Sequence, residues 1–279
     1  MNSNNPKRPI PYTTLWLDSM GLLWRQGVEK SAMAVTDKLE KLGMLCRLFA
    51  QIFYRLPYFF QNPSFTINQM VRIGVTSLPL IVVISFFVGA VTAISANYQF
   101  RGFVPASYLG TAVCKSVIIE TGPVLTALVL AGRIGSAIAA EIGTMKEKEE
   151  LDAMIVLNLD PLRFLAMPRF LSALIVFPAL VMISDFLAIV GGWLIAVLTL
   201  NITTSTYIFG LRFLFSSYDI WISLTKAMCF GIIVSIMGYF QGLEAAAGAK
   251  GVGQATMKSV VYSCVFILII DFFIVYIAY

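Results

Sequence analysis

The sequence predicts an all-α integral membrane protein with five transmembrane helices. Of its 279 residues, 58% are hydrophobic and 13% are charged, whereas soluble domains carry roughly 25% charged residues. The mean hydropathy is +0.83. The apolar runs are long enough to cross the roughly 30 Å hydrocarbon core of a bilayer, and short polar connections separate them. These three observations favour a membrane bundle over one large soluble core.

The composition also excludes several classes of chemistry. The chain has no histidine, which excludes Ser-His-Asp and Cys-His catalysis and most transition-metal sites. Its four cysteines show no CxxC spacing and predict neither disulfides nor zinc. The segment 244–258 lacks the G-K-[ST] ending of a phosphate-binding loop. We therefore expect no metal, no cofactor and no nucleic-acid partner.

Residues 1–70 form a basic lead-in that differs from the rest of the chain. Its polar, proline-containing start is unlike a secretory signal peptide. Apolar positions then recur at steps of three and four, as on one face of a helix: Val35, Leu39, Leu42, Cys46, Phe49 and Phe53. With lysines and arginines off this stripe, the pattern predicts an interfacial amphipathic helix on an anionic leaflet. The alternative is a soluble helix that packs on its own protein.

Residues 71–279 are predicted to hold the five spans. Their approximate limits are 72–96, 106–143, 164–200, 220–243 and 259–279.

The second predicted span has two special features. Pro123 predicts an elbow, because proline removes a backbone donor and clashes with the preceding turn. Small residues then recur every fourth position in two parallel rows: Gly132, Ser136 and Ala140, and Gly135, Ala139 and Gly143. Such rows allow close helix packing, although they are equally compatible with ordinary bundle contacts.

A short charged helix is predicted at 145–158, between the second and third spans. Thr144 and Glu147 have the spacing of a capping box, and Asp160-Pro161 suits the start of the next helix. An isolated helix of this length is marginal in water. We therefore expect a partner protein to cover its apolar face, which is formed by Leu151, Met154 and Ile155; the alternative is that it rests on the membrane.

Loop charges predict the orientation. Nine lysines and arginines lie in residues 1–72, four in 141–169 and two in 244–258, while the opposite loops hold only Arg101 and Arg212. The positive-inside rule places the N-terminus and the charged helix in the cytoplasm. Five spans then place the C-terminus on the far side.

Long consecutive motifs carry a family resemblance. The stretch GRIGSAIAAEIGTMKEKEELDAM, followed by DPLRFLAMPRF, resembles the MlaE-type permeases of MCE-associated ABC transporters. GVTSLPLIVVISFFVGAVTA, ETGPVLTALVLAGR, DFLAIVGG and GVGQATMKSVV extend the resemblance to about residues 70–279. Ser95 and Ile119 depart from the family pattern.

The resemblance implies a homodimeric, non-catalytic subunit in the bacterial inner membrane. It would move phospholipid or a related lipid between that membrane and a periplasmic MCE-domain protein, with a separate cytoplasmic ATPase and often a small STAS-domain protein. The charged helix corresponds to the family's coupling helix. This correspondence makes six residues candidates for ATPase coupling: Glu141, Met145, Glu149, Leu151, Asp152 and Met154.

Three intramembrane charges are candidates for lipid binding. Lys226 would take a head-group phosphate, Glu120 the amine, and Asp271 lies at a cavity-facing position. Alternatively, these charges pair with each other and hold the helices in register. Two other functions stay open: an ATP-independent secondary transporter with a carboxylate relay at 120, 185 and 271, and a membrane enzyme that acts on lipids.

Overall fold

A computed structural model describes residues 63–100 and 104–279 of the protein. It also describes 36, 40, 43–45, 47–51 and 54, which are helical. Of the six positions in the predicted amphipathic stripe, only Phe49 is among them. The other five, and all of residues 1–35, lie outside the described residues. The interfacial helix therefore stays a prediction.

The described residues are almost entirely helical and contain no strand. Helix α1 is Pro63–Phe100, and the second span, Leu109–Glu147, contains α2 (Leu109–Ser116), α3 (Gly122–Leu130) and α4 (Ser136–Glu147). The remaining helices are α5 (Glu150–Val156), α6 (Met167–Leu198), α7 (Thr204–Phe213), α8 (Ser217–Leu243) and α9 (Ala249–Ala278). π-helical turns lie at Val117–Thr121, Ala131–Gly135 and Leu162–Ala166.

Five helical segments are long and apolar enough to cross a membrane, which confirms the predicted fold class. Helix α8 occupies the centre of the bundle, where it packs against α4, α6 and α9. Helix α9 is much less covered within one chain: 17% of its most apolar window is buried, against 56% for α8. The bundle therefore leaves a large apolar surface for lipid or other subunits.

Helices α1 and α6 make the longest contact in the bundle, and glycines set their separation. A Cβ atom built on Gly89 would lie 1.7 Å from the Ala188 carbonyl oxygen, and one on Gly191 would lie 2.2 Å from the Phe86 oxygen. No side chain fits at either position, because the two backbones touch. Pro79 lies inside α1 and leaves the helix continuous.

The two rows of small residues in the second span lie in different environments. Gly135 and Gly143 are buried, and the atoms nearest to them include Val234 of α8 and Val252 of α9. A Cβ atom on Gly132 would meet nothing within 4 Å, and Ser136 is half-buried. Within one chain, the Gly135 row therefore packs against neighbouring helices and the Gly132 end of the other row faces open space.

The fifth span begins ten residues earlier than the predicted limit of 259. In place of the predicted polar loop 244–258, the structure has a short turn that ends at Gly248. The φ of Gly248 is 86°, a value that glycine adopts readily. Helix α9 starts at Ala249. Its first turns tolerate polar residues because only one face is buried, at Gly251, Ala255 and Ser259.

The connection between the third and fourth spans, predicted as a loop, contains helix α7. The Thr203 side chain caps it by accepting a hydrogen bond from the Thr206 amide. Tyr207 is completely buried, and its hydroxyl donates to the Ile189 carbonyl oxygen over 3.2 Å. The helix therefore packs against the bundle.

Gly89→Ala or Gly191→Ala should destabilise the bundle by about 1–3 kcal/mol, because the new methyl group collides with the facing backbone. Denaturant titration of the detergent-solubilised protein measures this change in unfolding free energy. Gly132→Ala is the matched control: it adds the same methyl group in open space and should be neutral or stabilising by up to about 1 kcal/mol. Equal stabilities for all three variants would contradict the proposed contact.

Candidate functional site

A buried ionic cluster joins the second, fourth and fifth spans. The side chain of Lys226 on α8 is completely buried. Its Nζ lies 2.8 Å from Glu120 Oε2 and 2.7 Å from Asp271 Oδ1. It also donates a hydrogen bond to the Ile119 carbonyl oxygen over 2.8 Å. The ammonium has three donors, and three acceptors surround it.

The backbone around Glu120 explains how this cluster forms. Proline has no amide hydrogen, so Pro123 cannot donate to the Ile119 carbonyl oxygen four residues earlier. Lys226 supplies that missing donor. The helix accommodates the sequence through the π-helical turn Val117–Thr121, and the span continues without a break. The elbow expected at Pro123 is thus a local widening of the helix.

The structure brings together all three charges that the sequence singled out, but it exposes them unequally. The exposed fraction of the side chain is 50% for Glu120, 9% for Asp271 and 0% for Lys226. In this arrangement the charges pair with each other, which is the second of the two interpretations. Glu120 is the member of the cluster that a molecule outside the bundle can reach. Two carboxylates facing one ammonium give the cluster a formal charge of −1.

Asp185 lies beside the same π-helical turn. Ser223 donates to its Oδ2 over 3.3 Å, and a Cβ atom on Gly122 would lie 1.7 Å from its Oδ1. Only glycine at 122 leaves room for the carboxyl group. Among the described residues, Asp185 forms no hydrogen bond or ion pair with Glu120 or Asp271. Asp185 is therefore not directly connected to the other two carboxyl groups of the proposed relay.

A second polar contact joins the second span, the fourth span and the end of the chain after α9, at the end of the bundle remote from α5. Lys115 on α2 pairs with Asp219 Oδ2 over 3.2 Å, and the Tyr279 hydroxyl donates to Asp219 Oδ1 over 3.0 Å. Burial and the nearby Asp219 carboxylate raise the pKa of Tyr279 to about 12, which keeps the hydroxyl protonated. The sequence does not predict this contact, because no local pattern relates residues 115, 219 and 279.

The opposite end of the bundle holds Glu141, one of the coupling candidates. Its carboxylate lies 3.0 Å from Arg169, which is buried, and 3.6 Å from Arg72. Lys146 donates to the carbonyl oxygens of Leu243 and Ala245 at the end of α8, where a cation is favourable. Glu141 therefore lies within a network that joins the spans.

The charged helix is shorter than the predicted 145–158. Thr144 does not cap it: its hydroxyl donates to the Ala140 carbonyl oxygen over 2.7 Å, inside α4. The chain turns at Glu149, whose φ is 59°, and α5 runs from Glu150 to Val156. The Asp160 carboxylate accepts from the Leu162 amide over 3.1 Å, so the next helix starts where the sequence predicted.

The coupling candidates differ in their exposure. Leu151 is buried within the chain, Met145 and Met154 are half-buried, and Glu149 and Asp152 are exposed. The exposed apolar surface lies further along. Ile155, which the sequence placed on the same apolar face as Leu151, is 61% exposed, and Val156 and Leu157, which the sequence did not single out, are 85% and 70% exposed. Of the predicted apolar face, Leu151 is buried within the chain, whereas Ile155 remains accessible to a partner.

The comparisons with known proteins cover nearly the whole described bundle. The sequence profile of the family described as Permease MlaE matches residues 66–277. The chain belongs to the MlaE permease family.

Among its relatives in this family are several proteins named probable ABC transporter permease. One from Rickettsia bellii is 36% identical over 247 residues, which cover 88% of this chain and 94% of the relative. One from Rickettsia felis is 40% identical over 211 residues, with coverages of 76% and 82%. One from Synechocystis is 35% identical over 227 residues, with coverages of 81% and 86%. The chain is therefore an ABC transporter permease by family and a multi-pass membrane protein.

Lys226→Met should destabilise the permease by about 3–5 kcal/mol, because it leaves Glu120 and Asp271 without their cation inside the bundle. The unfolding free energy in detergent measures the loss. The triple variant Lys226→Met, Glu120→Gln, Asp271→Asn removes all three charges and should recover most of the stability. If the single and triple variants are equally stable, the ion pairs do not hold the helices.

Proposed function

We propose that this permease is the membrane-spanning, non-catalytic subunit of a transporter that moves phospholipid or a related lipid. Transport would run between the bacterial inner membrane and a periplasmic MCE-domain protein, with a separate cytoplasmic ATPase as the energy source. The observation that carries the proposal is the buried cluster with exposed Glu120, set among apolar spans in a member of the MlaE permease family. We further propose a homodimer, to which a STAS-domain protein can bind.

The proposed orientation follows from the loop charges. The basic N-terminal region, α5 and the turn 244–248 face the cytoplasm, and the end of α9 faces the periplasm. The Lys115–Asp219–Tyr279 contact then lies at the periplasmic end of the bundle.

The cluster supports a specific mode of head-group recognition. Its formal charge of −1 and the exposure of Glu120 favour the amine end of a zwitterionic lipid. A phosphate can reach Lys226 only if it displaces one of the two carboxylates, because the ammonium donates to Ile119 and Glu120 and is also paired with Asp271. Exchange of these ion pairs would release or capture the head group while the acyl chains lie along apolar helix surfaces.

Coupling to the ATPase is proposed to act through α5 and the second span. Ile155, Val156 and Leu157 offer an exposed apolar contact, with Asp152 and Glu149 beside it. Helix α4 continues from this end towards the π-helical turn that holds Glu120. One nearly continuous helical segment thus connects the proposed ATPase contact with the proposed cargo site.

An ATP-independent secondary transporter is the second candidate, because Asp185 has a buried carboxylate oxygen without a hydrogen-bond partner among the described residues.

Reconstitution into proteoliposomes distinguishes the ATPase-driven lipid transporter from the ATP-independent transporter. We expect labelled phospholipid to move between proteoliposomes and a soluble MCE-domain protein only with the ATPase and ATP. Glu120→Gln should slow this transfer, whereas Arg212→Gln, at an exposed position remote from the cluster, should not. Transfer by the permease alone, without ATP, would support the secondary transporter instead.

Val156→Asp with Leu157→Asp should abolish co-purification of the ATPase, because it places two charges on the exposed apolar surface of α5. The fold should persist, since both side chains are exposed. Leu214→Asp, at an exposed position beyond α7, is the matched control and should retain the ATPase. Unchanged ATPase binding by the double variant would rule out this contact. Leu151→Asp is unsuitable, because Leu151 is buried and the variant would disturb the bundle.

A further inference from the structure

A crevice lies between the N-terminal part of α1 and the part of the second span that leads to α5. It has a volume of about 80 Å³ and opens to one side of the helices. A single buried water needs only about 10–15 Å³, so the crevice can hold a larger polar group. Helix α1 packs chiefly along α6 and makes little contact with α4, which leaves this space between them.

Two arginines line the crevice from opposite sides, Arg72 on α1 and Arg133 on the second span. The only carboxylate among the lining residues, Glu141, is already held by Arg169 at 3.0 Å, and Arg72 lies further away at 3.6 Å. Among the described residues, no carboxylate pairs with Arg133. The crevice therefore has an excess of positive charge.

Arg133 lies well inside the apolar part of the span. It precedes Glu141 by eight residues, which corresponds to about 12 Å along a helix. It is exposed and lies in the π-helical turn Ala131–Gly135, a type of irregularity that is frequent at functional sites. An exposed guanidinium at this depth is costly unless it meets an anion or water.

Three further lining residues of α1 are polar, namely Gln69, Thr76 and Ser77. The Thr76 and Ser77 hydroxyls already donate to backbone carbonyl oxygens within α1, and the rest of the wall is apolar. Ile73 of α1 faces the crevice, as do Ile134, Ala137 and Ile138 on the second span. Guanidinium groups bind phosphate oxygens through paired hydrogen bonds. A group that presents a phosphate to the arginines and hydrocarbon to these walls fits both parts of the surface.

We propose that this crevice binds the phosphate of a phospholipid head group in the leaflet nearer α5, with Arg72 and Arg133 as its ligands. It is separate from the Lys226 cluster: Glu120 and Arg133 are thirteen residues apart, or about 20 Å along the span. The two sites also have opposite charge. Binding here requires neither ATP nor net transport, so the inference goes beyond the proposed function and can be tested independently of it.

The experiment places a photoreactive p-benzoylphenylalanine in the full-length chain in lipid nanodiscs. One probe replaces Ala137, which lines the crevice, and the other replaces Ile175, exposed on α6. Both lie about 6–9 Å inward from the Glu141–Arg169 ion pair. The nanodiscs contain phosphatidylcholine with trace ³²P-labelled phospholipid or, separately, tritiated diacylglycerol, which has no phosphate.

We expect the Ala137 probe to capture phospholipid about tenfold more than diacylglycerol, as one charge-assisted hydrogen bond can provide. The Ile175 probe should capture the two lipids equally. Arg72→Gln with Arg133→Gln should remove the preference at 137 and leave capture at 175 unchanged. The control Arg212→Gln should change neither. Because Arg72 and Arg133 are exposed, the double variant should fold.

Three results would overturn the proposal. The first is an unchanged preference at 137 in the double variant. The second is equal capture of phospholipid and diacylglycerol by the Ala137 probe, which would show that the crevice does not recognise the phosphate. The third is crosslinking of the 137 probe to a second copy of the chain, which would show that the crevice is an interface between copies.

Discussion

The burial of one ammonium group constrains the whole bundle. Lys226 lies on the central helix, among spans that provide little polar surface, so its three donors need acceptors from other segments. The second span provides a carbonyl oxygen and a carboxylate, and the fifth provides another carboxylate. These contacts fix how α3, α8 and α9 are rotated against each other. Apolar packing alone would define the rotation of these helices less precisely, because small and branched apolar side chains can pack in several registers.

Each π-helical turn in the described residues carries one charged side chain: Glu120, Arg133 or Arg163. A π-helical turn inserts an extra residue into the helix and leaves backbone carbonyl groups without their usual donors. At Glu120 this irregularity lets Lys226 contact the backbone and the carboxylate together. At Arg133 it lies beside a glycine that leaves the surrounding space open. The second span thus combines two irregular, oppositely charged positions, which would suit the proposed transport of a lipid with both charges.

The predictions differed from the structure where local chemistry allowed more than one outcome. Thr144 and Glu147 have capping-box spacing, yet the preceding helix simply continues through them, because its packing against α8 and α9 favours further turns. Leu151 is on the apolar face that the sequence assigned to a partner, but its side chain is buried within the chain, and only Ile155 of that face is exposed. The early start of α9 has a similar origin, since its polar first turns bury only one small-residue face.

The sequence by itself determined the fold class, the five spans and the family, because these depend on long apolar runs and consecutive motifs. It also identified Glu120, Lys226 and Asp271 as unusual, since charges are rare in such runs. Only the tertiary structure decided that these three meet, that Glu120 remains accessible, and that Arg133 shares a crevice with Arg72. Those relations join residues 45 to 151 positions apart in the chain, and helical periodicity contains no information about which faces of distant helices come together.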